Sequence, residues 1–207
     1  MALTKFNYNS FDVTPVASKA LAFNSDADGL TTAAEGSMVL IKTLTSDGSD
    51  DDLSFVNGTD DVVLDNTYPT YLFKFMNIHP ETDGVDLEFN FSVDTGSNYN
   101  VTKTTTLFDS LHNETGTNAA VGYSDGRDIA QGTGGQDLLG SVGNGNDESG
   151  AGELWLFDPS STTFVKHFLA RTQFYHQSDY SGNMNMAGYG NTTSAIDAGT
   201  IKMYGVT

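Results

Sequence analysis

The amino-acid sequence predicts an all-β protein: an antiparallel β-sandwich, jelly-roll-like, with an N-terminal arm. Three observations predict it. Residues 85–93 read V-D-L-E-F-N-F-S-V, with Val85, Leu87, Phe89, Phe91 and Val93 apolar and Asp86, Glu88, Asn90 and Ser92 polar. Strict period two is an extended strand with one face in a core, whereas a helix would scatter those side chains. Short apolar stretches then recur along the chain, punctuated by Gly, Asn, Asp and Ser clusters. That spacing belongs to sandwiches and jelly rolls. Helix signals are weak, reaching one or two turns at 106–114 and 125–131.

Residues 1–18 are read as the arm and 19–207 as the sandwich domain. In the arm, Phe6, Tyr8, Phe11 and Val13 precede the first turn signal. Burying a large apolar side chain contributes roughly 1.5–3 kcal/mol, so these four are candidates for docking on a neighbouring subunit. Residues 20–23 read as extended, 24–29 as a turn, and 38–45 as a strand. An acidic loop follows at 46–52. Two short strands, 53–56 and 62–64, flank Asn57-Gly58, a pair suited to tight turns. Residues 68–78 (Y-P-T-Y-L-F-K-F-M-N-I) are almost continuously apolar, the pattern of a strand covered on both faces. Pro69 stands at its start, where a missing N–H is tolerated.

The alternating strand at 85–93, the turn Asp94-Thr95-Gly96-Ser97-Asn98 and the Thr- and Val-rich stretch 99–108 read as a hairpin. Residues 116–152 hold many of the 22 glycines and read as loop. Strands are expected again at 154–157 and 163–174, joined by the turn Asp158-Pro159-Ser160-Ser161. Stretches 184–189 and 200–204 close the sheet.

The chain of 207 residues has a formal net charge of −18, with nine Lys and Arg against 27 Asp and Glu. It lacks the basic footprint that neutralises phosphates. Nucleic acid and anionic membrane are therefore not expected partners, and the acidity reads first as solubility. There are no cysteines, so disulfides and thiolate metal sites are excluded. Residues 1–7 show no apolar signal-peptide region, and no apolar run is long enough to cross a bilayer as a helix. A soluble protein made in a cytoplasm is expected.

Four patterns invite chemistry. Asp94-Thr95-Gly96-Ser97 matches the D-T-G-S of pepsin-like aspartic proteases, and Leu138-Leu139-Gly140 resembles their apolar-apolar-Gly element. That reaction needs two aspartates sharing a proton, and no second D-T-G or D-S-G exists. Gly122-Tyr123-Ser124-Asp125-Gly126 matches the G-x-S-x-G elbow, which requires a buried parallel strand before it and a helix after it. Asn24, Asp26, Asp28 and Glu35, with Gly29, follow calcium-loop spacing, so Ca²⁺ is the one cofactor expected, if any. Tyr175, Tyr180 and Tyr189 lie near polar, Gly-containing sequence and are candidates for stacking on a host-surface glycan. The histidines (His79, His112, His167, His176) show no zinc spacing. The expectation is a non-enzyme, with a carbohydrate- or receptor-binding module as the alternative and a hydrolase as the remote one.

Three stretches carry a family resemblance: residues 97–106 (S-N-Y-N-V-T-K-T-T-T), 152–168 (G-E-L-W-L-F-D-P-S-S-T-T-F-V-K-H-F) and 198–206 (A-G-T-I-K-M-Y-G-V). The chain resembles small proteins encoded by marine and environmental tailed bacteriophages, over roughly residues 32–207. The resemblance implies a virion structural protein: a head decoration or cement protein, or a tail or fibre component. It implies other virion proteins as partners and a homo-oligomer, with a trimer favoured. It supplies no catalytic residues. Similar chains carry a further strand between the positions of Ile196 and Asp197; here these residues adjoin.

Overall fold

The computed structural model describes residues 21–23, 30–32, 38–48, 50–190, 196–197 and 201–206. The chain divides into two compact units, Met1–Val39 and Leu40–Thr207. The first holds an antiparallel pair, β1 (Leu21–Phe23) with β2 (Leu30–Thr32). The N-terminal arm, including Phe6, Tyr8, Phe11 and Val13, lies outside the described residues. So do Asn24, Asp26, Asp28 and Glu35.

The remaining strands are β3 (Met38–Thr43), β4 (Ser54–Phe55), β5 (Thr70–Ile78), β6 (Val85–Phe89), β7 (Lys103–Asn113), β8 (Ala119–Tyr123), β9 (Gln136–Val142), β10 (Gly150–Phe157), β11 (Lys166–His176), β12 (Tyr180–Gly190), β13 (Ile196–Asp197) and β14 (Ile201–Val206). Among the described residues there is no helix, and every registered pairing is antiparallel. The main sheet runs β3-β14-β5-β10-β11-β12-β7-β8. Strands β6 and β9 pair with each other, and β9 meets that sheet where Val142 registers opposite His176 of β11. The protein is all-β and antiparallel, a sandwich of unequal layers. This order does not establish the two four-stranded sheets of a jelly roll.

Alternation along each strand sorts the main sheet into two faces. The inner face carries Tyr71, Phe73 and Phe75 of β5, Leu154 and Leu156 of β10, Phe168, Ala170 and Phe174 of β11, Met184 and Met186 of β12, and Leu107 of β7. Phe89, Phe91, Leu138, Leu139 and Val142 of the covering layer close over them in one core. Phe89, Phe91 and Phe168 meet edge-on, with ring centroids 5.0–5.5 Å apart, the geometry that aromatic quadrupoles favour.

Glycines inside the strands make room for these rings. Phe174 lies opposite Gly150 on one side and Gly182 on the other, Phe168 lies opposite Gly188, and Phe75 opposite Gly152. A Cβ at Gly182 would stand 2.5 Å from the Phe174 ring, and one at Gly188 would stand 2.6 Å from that of Phe168. The glycines of 116–152 therefore do not all mark loop: β8, β9 and the start of β10 lie in that region.

Two lysines are also interior. Lys103 is fully buried; its ammonium donates to Asn90 Oδ1 at 2.5 Å and to the Val101 carbonyl at 3.1 Å. Burial pulls it down to about 8, against the attraction of Glu88. Lys166, 1 % exposed, donates to the carbonyls of Ser161 and Phe164.

Several local expectations are corrected. Phe89 and Phe91 are buried and Leu87 is half-buried, but Val85 and Val93 are exposed. Irregularities between Val85, Leu87 and Glu88 break the pairing with β9, so one face is not kept along the stretch. The expected hairpin does not form. The turn at Asp94 is real, and the Val101 N–H bonds the Phe91 carbonyl, but beyond that β6 goes to β9 while β7 goes to β12 and β8. Residues 106–113 belong to β7 rather than to helical turns, and Glu114 begins the turn after it. Residues 62–64 are not a strand, although Val62 and Leu64 are buried. In β5 only Leu72, 1 % exposed, is buried on the outer face; Met76 is exposed. Ile196 and Asp197 form β13, opposite Phe55 and Ser54.

Three outcomes are expected. Gly188→Ala should cost about 1–3 kcal/mol in a denaturant titration, because its Cβ meets Phe168, Thr105 Cγ2 and the Thr104 carbonyl within 2.9 Å. Gly122→Ala has open space around its Cβ and should shift stability by less than about 0.5 kcal/mol. For Lys103, the unfolded chain binds more protons than the folded chain between about pH 8 and 10.5. Stability should therefore rise with pH in that window, by about 1–2 kcal/mol between pH 8 and 9.5. Tyr71, pushed up to about 12 by burial, acts in the opposite sense only above its unfolded value near 10. Lys103→Met should flatten the rise in denaturant melts repeated across that range.

Candidate functional site

At one end of the sandwich β9 meets the main sheet, with Val142 opposite His176, and a cleft opens beside the junction. Inner-face alternation places Asp109 and Leu111 of β7, Gly182 and Met184 of β12, and Phe174 and His176 of β11 along this end. The turn from β11 to β12 is tight, so Tyr180 faces His176 directly. Their rings stand edge-on, 5.6 Å apart at 87°. Gly140 of β9 and Arg127 close the opposite side, and Asn118 stands at the start of β8. Together these residues line a cleft of about 350 Å³.

Arg127 anchors one wall. Its Nη1 donates to Asp137 Oδ2 at 2.5 Å and to Asp86 Oδ1 at 3.3 Å. Asp86 Oδ1 also accepts from the Ser141 N–H at 2.6 Å. Burial disfavours the guanidinium charge, but the two carboxylates outweigh it and Arg127 stays cationic. Burial pushes the Asp137 carboxyl up, against the pull of Arg127. A Cβ at Gly140 would lie 2.7 Å from Nη1, so a bare backbone there lets the guanidinium lie close.

His176 is held uncharged at neutral pH. Burial, and then the Arg127 cation, push the imidazole below its usual 6.5; Asp86 and Asp83 pull weakly the other way. The Ser178 N–H donates to Nδ1 at 3.1 Å. A neutral ring accepting there carries its proton on Nε2, which is left as a donor. Asn118 Nδ2 reaches the Tyr180 hydroxyl at 3.5 Å. Asp109 is half-buried, and its carboxylate has no hydrogen-bond or ion-pair partner among the described residues. The cleft thus offers a free acceptor, several neutral donors and an aromatic edge.

Of the three tyrosines expected to bind glycan, only Tyr180 lines this cleft. Tyr175 and Tyr189 lie at odd positions and belong to the outer face, so the three build no common platform. The Tyr175 hydroxyl donates to Glu114 at 2.9 Å and to Asp179 at 3.3 Å, and those acids push it up. Tyr189 packs beside His167, centroids 6.3 Å apart. Arg127, Asp109, Asn118 and His176 carried no sequence signal, because the cleft joins four separated segments.

Asp94 serves its turn. It accepts from the Ser92 hydroxyl at 2.7 Å and from the N–H and amide of Asn98 at 2.8 and 2.5 Å. These bonds, that of the Asn98 amide first, hold its carboxyl down to about 2, far from the shared proton of a protease pair. Ser124 follows an exposed antiparallel strand, β8, and its N–H bonds the Leu107 carbonyl. The residues after it form turns, not the helix of a nucleophile elbow. Among the described residues no three His, Asp or Glu side chains are grouped to hold a metal.

Neither family models, nor curated proteins, nor solved structures give a match to the chain.

The assignment at His176 has an NMR consequence. Its titration midpoint should lie below 6.5 and rise in Arg127→Gln, where a cation is lost and the acids remain. A midpoint unchanged by the substitution would contradict the electrostatics described.

Proposed function

We propose that this chain is a non-enzymatic structural subunit of a tailed-bacteriophage virion. It would be made in the host cytoplasm and built into the head as a decoration or cement protein, or into the tail as a fibre-associated one. It works by subunit–subunit binding, as a homo-oligomer with a trimer favoured. The resemblance of residues 97–106, 152–168 and 198–206 supplies the virion context.

The observation that carries the binding reading is the outer face of the main sheet. Thr106, Ala187, Leu169, Trp155 and Leu72 stand directly opposite one another across β7, β12, β11, β10 and β5. Leu169 is 49 % exposed. In the adjoining row Phe108 is 53 % exposed and stacks edge-on with Tyr123, centroids 5.3 Å apart. The row continues through Arg171 and the Lys74–Glu153 pair at 3.5 Å. A cross-sheet apolar patch edged by compensating charge is interface chemistry. Among the described residues the face also ends on an open strand edge: Ala119–Tyr123 is uncharged and exposed at every position, a template for another chain.

Mass spectrometry of purified virions should find the protein. Light scattering should show an oligomer that Leu169→Glu and Phe108→Glu each dissociate, with folding preserved because both side chains face solvent. Absence from the particle, or an assembly indifferent to both substitutions, would refute the proposal.

A further inference from the structure

The cleft between Tyr180 and Arg127 is not used by the assembly reading and stands independently of it. We infer that it binds one neutral saccharide ring, such as the terminal or branching residue of a glycan. The argument rests on what each wall can accept.

An anion is disfavoured. The Arg127 cation already faces Asp86 and Asp137, and Asp109 adds a further negative charge. A purely apolar ligand is disfavoured as well, since it would strip water from the Asp109 carboxylate and return no hydrogen bond. A sugar ring answers both constraints. Each hydroxyl donates and accepts, so neighbouring hydroxyls can donate to Asp109 while accepting from His176 Nε2–H and the Asn118 amide. The Tyr180 ring, at 87° to His176 with centroids 5.6 Å apart, lines the same wall and supplies an aromatic contact for the C–H groups of the sugar. Phe174 packs over Gly182, and Arg127 and Met184 lie against Gly140, so these side chains form the floor and wall of the cleft. The volume, about 350 Å³, is at the low end of ligand clefts, which run from roughly 300 to 1,000 Å³. It suits one ring rather than an extended chain.

The test uses the full chain and ligand-observed NMR with glucose, galactose, mannose, fucose and N-acetylglucosamine, each at millimolar concentration. Sialic acid and glucosamine serve as charged probes. At least one neutral sugar should receive saturation from aromatic protons and shift the His176 ring signals. Asp109→Asn and Tyr180→Ala should each weaken that sugar by at least about tenfold, whereas Tyr189→Ala on the outer face should bind as the parent does. Near-UV circular dichroism checks that each variant is folded. If a variant fails to fold, the His176 shifts of the parent chain decide alone. Three results would overturn the inference: no neutral sugar moving His176; a preference for sialic acid or glucosamine; or loss on Tyr189→Ala with none on Tyr180→Ala.

Discussion

The packing of aromatic rings against strand glycines is the constraint on which the rest of this structure depends. Phe174, Phe168 and Phe75 each sit in register with glycine on a neighbouring strand. A ring over bare backbone fills the space between layers without forcing the strands apart. The main sheet can then carry large side chains on its inner face and still be closed by a cover built on the β6–β9 pair. The same pattern reaches the cleft, where Phe174 packs over Gly182 and the Arg127 guanidinium and Met184 lie against Gly140.

That pattern explains what could be read in advance. The alternation of β11, with Lys166, Phe168, Ala170, Thr172 and Phe174 inward, is visible in the sequence, and its strand was expected over nearly its true span. Phe89 and Phe91 were legible for the same reason. The glycine-rich stretches were not. Glycine in a turn and glycine under a ring look alike until the partner strand is known, so β8 and β9 read as loop. The hairpin failed because a local turn does not decide where strands go. Asp94 caps its turn well, yet Leu87 finds Leu139 and Leu107 finds Met186, both far along the chain. The cleft was illegible for this reason too: its residues share no segment and come together only through non-local pairing. Tyr180 was reachable because a short turn sets it opposite His176.

Placement of charge follows from the same packing. Lys103 and Lys166 fill positions on the inner face where apolar residues are the rule. Each is tolerated because its ammonium reaches carbonyl oxygens at the margin of the core. Arg127 is engaged by two carboxylates at the cleft. Three of the chain's nine Lys and Arg residues are thus engaged in the core or at the cleft.

The formal charge of −18 therefore understates how anionic the exterior is, because it counts two interior lysines as though they faced water. Copies approaching at random meet mutual repulsion first, over a range set by the Debye length, about 8 Å at physiological ionic strength. The patch bearing Leu169 and Phe108 has the Arg171 cation beside it, which offsets that repulsion locally. Charge then acts as a kinetic filter: it slows indiscriminate sticking of an exposed greasy face and leaves oriented encounters open. Dilute salt would keep such a protein dispersed, and brine would lower the gate.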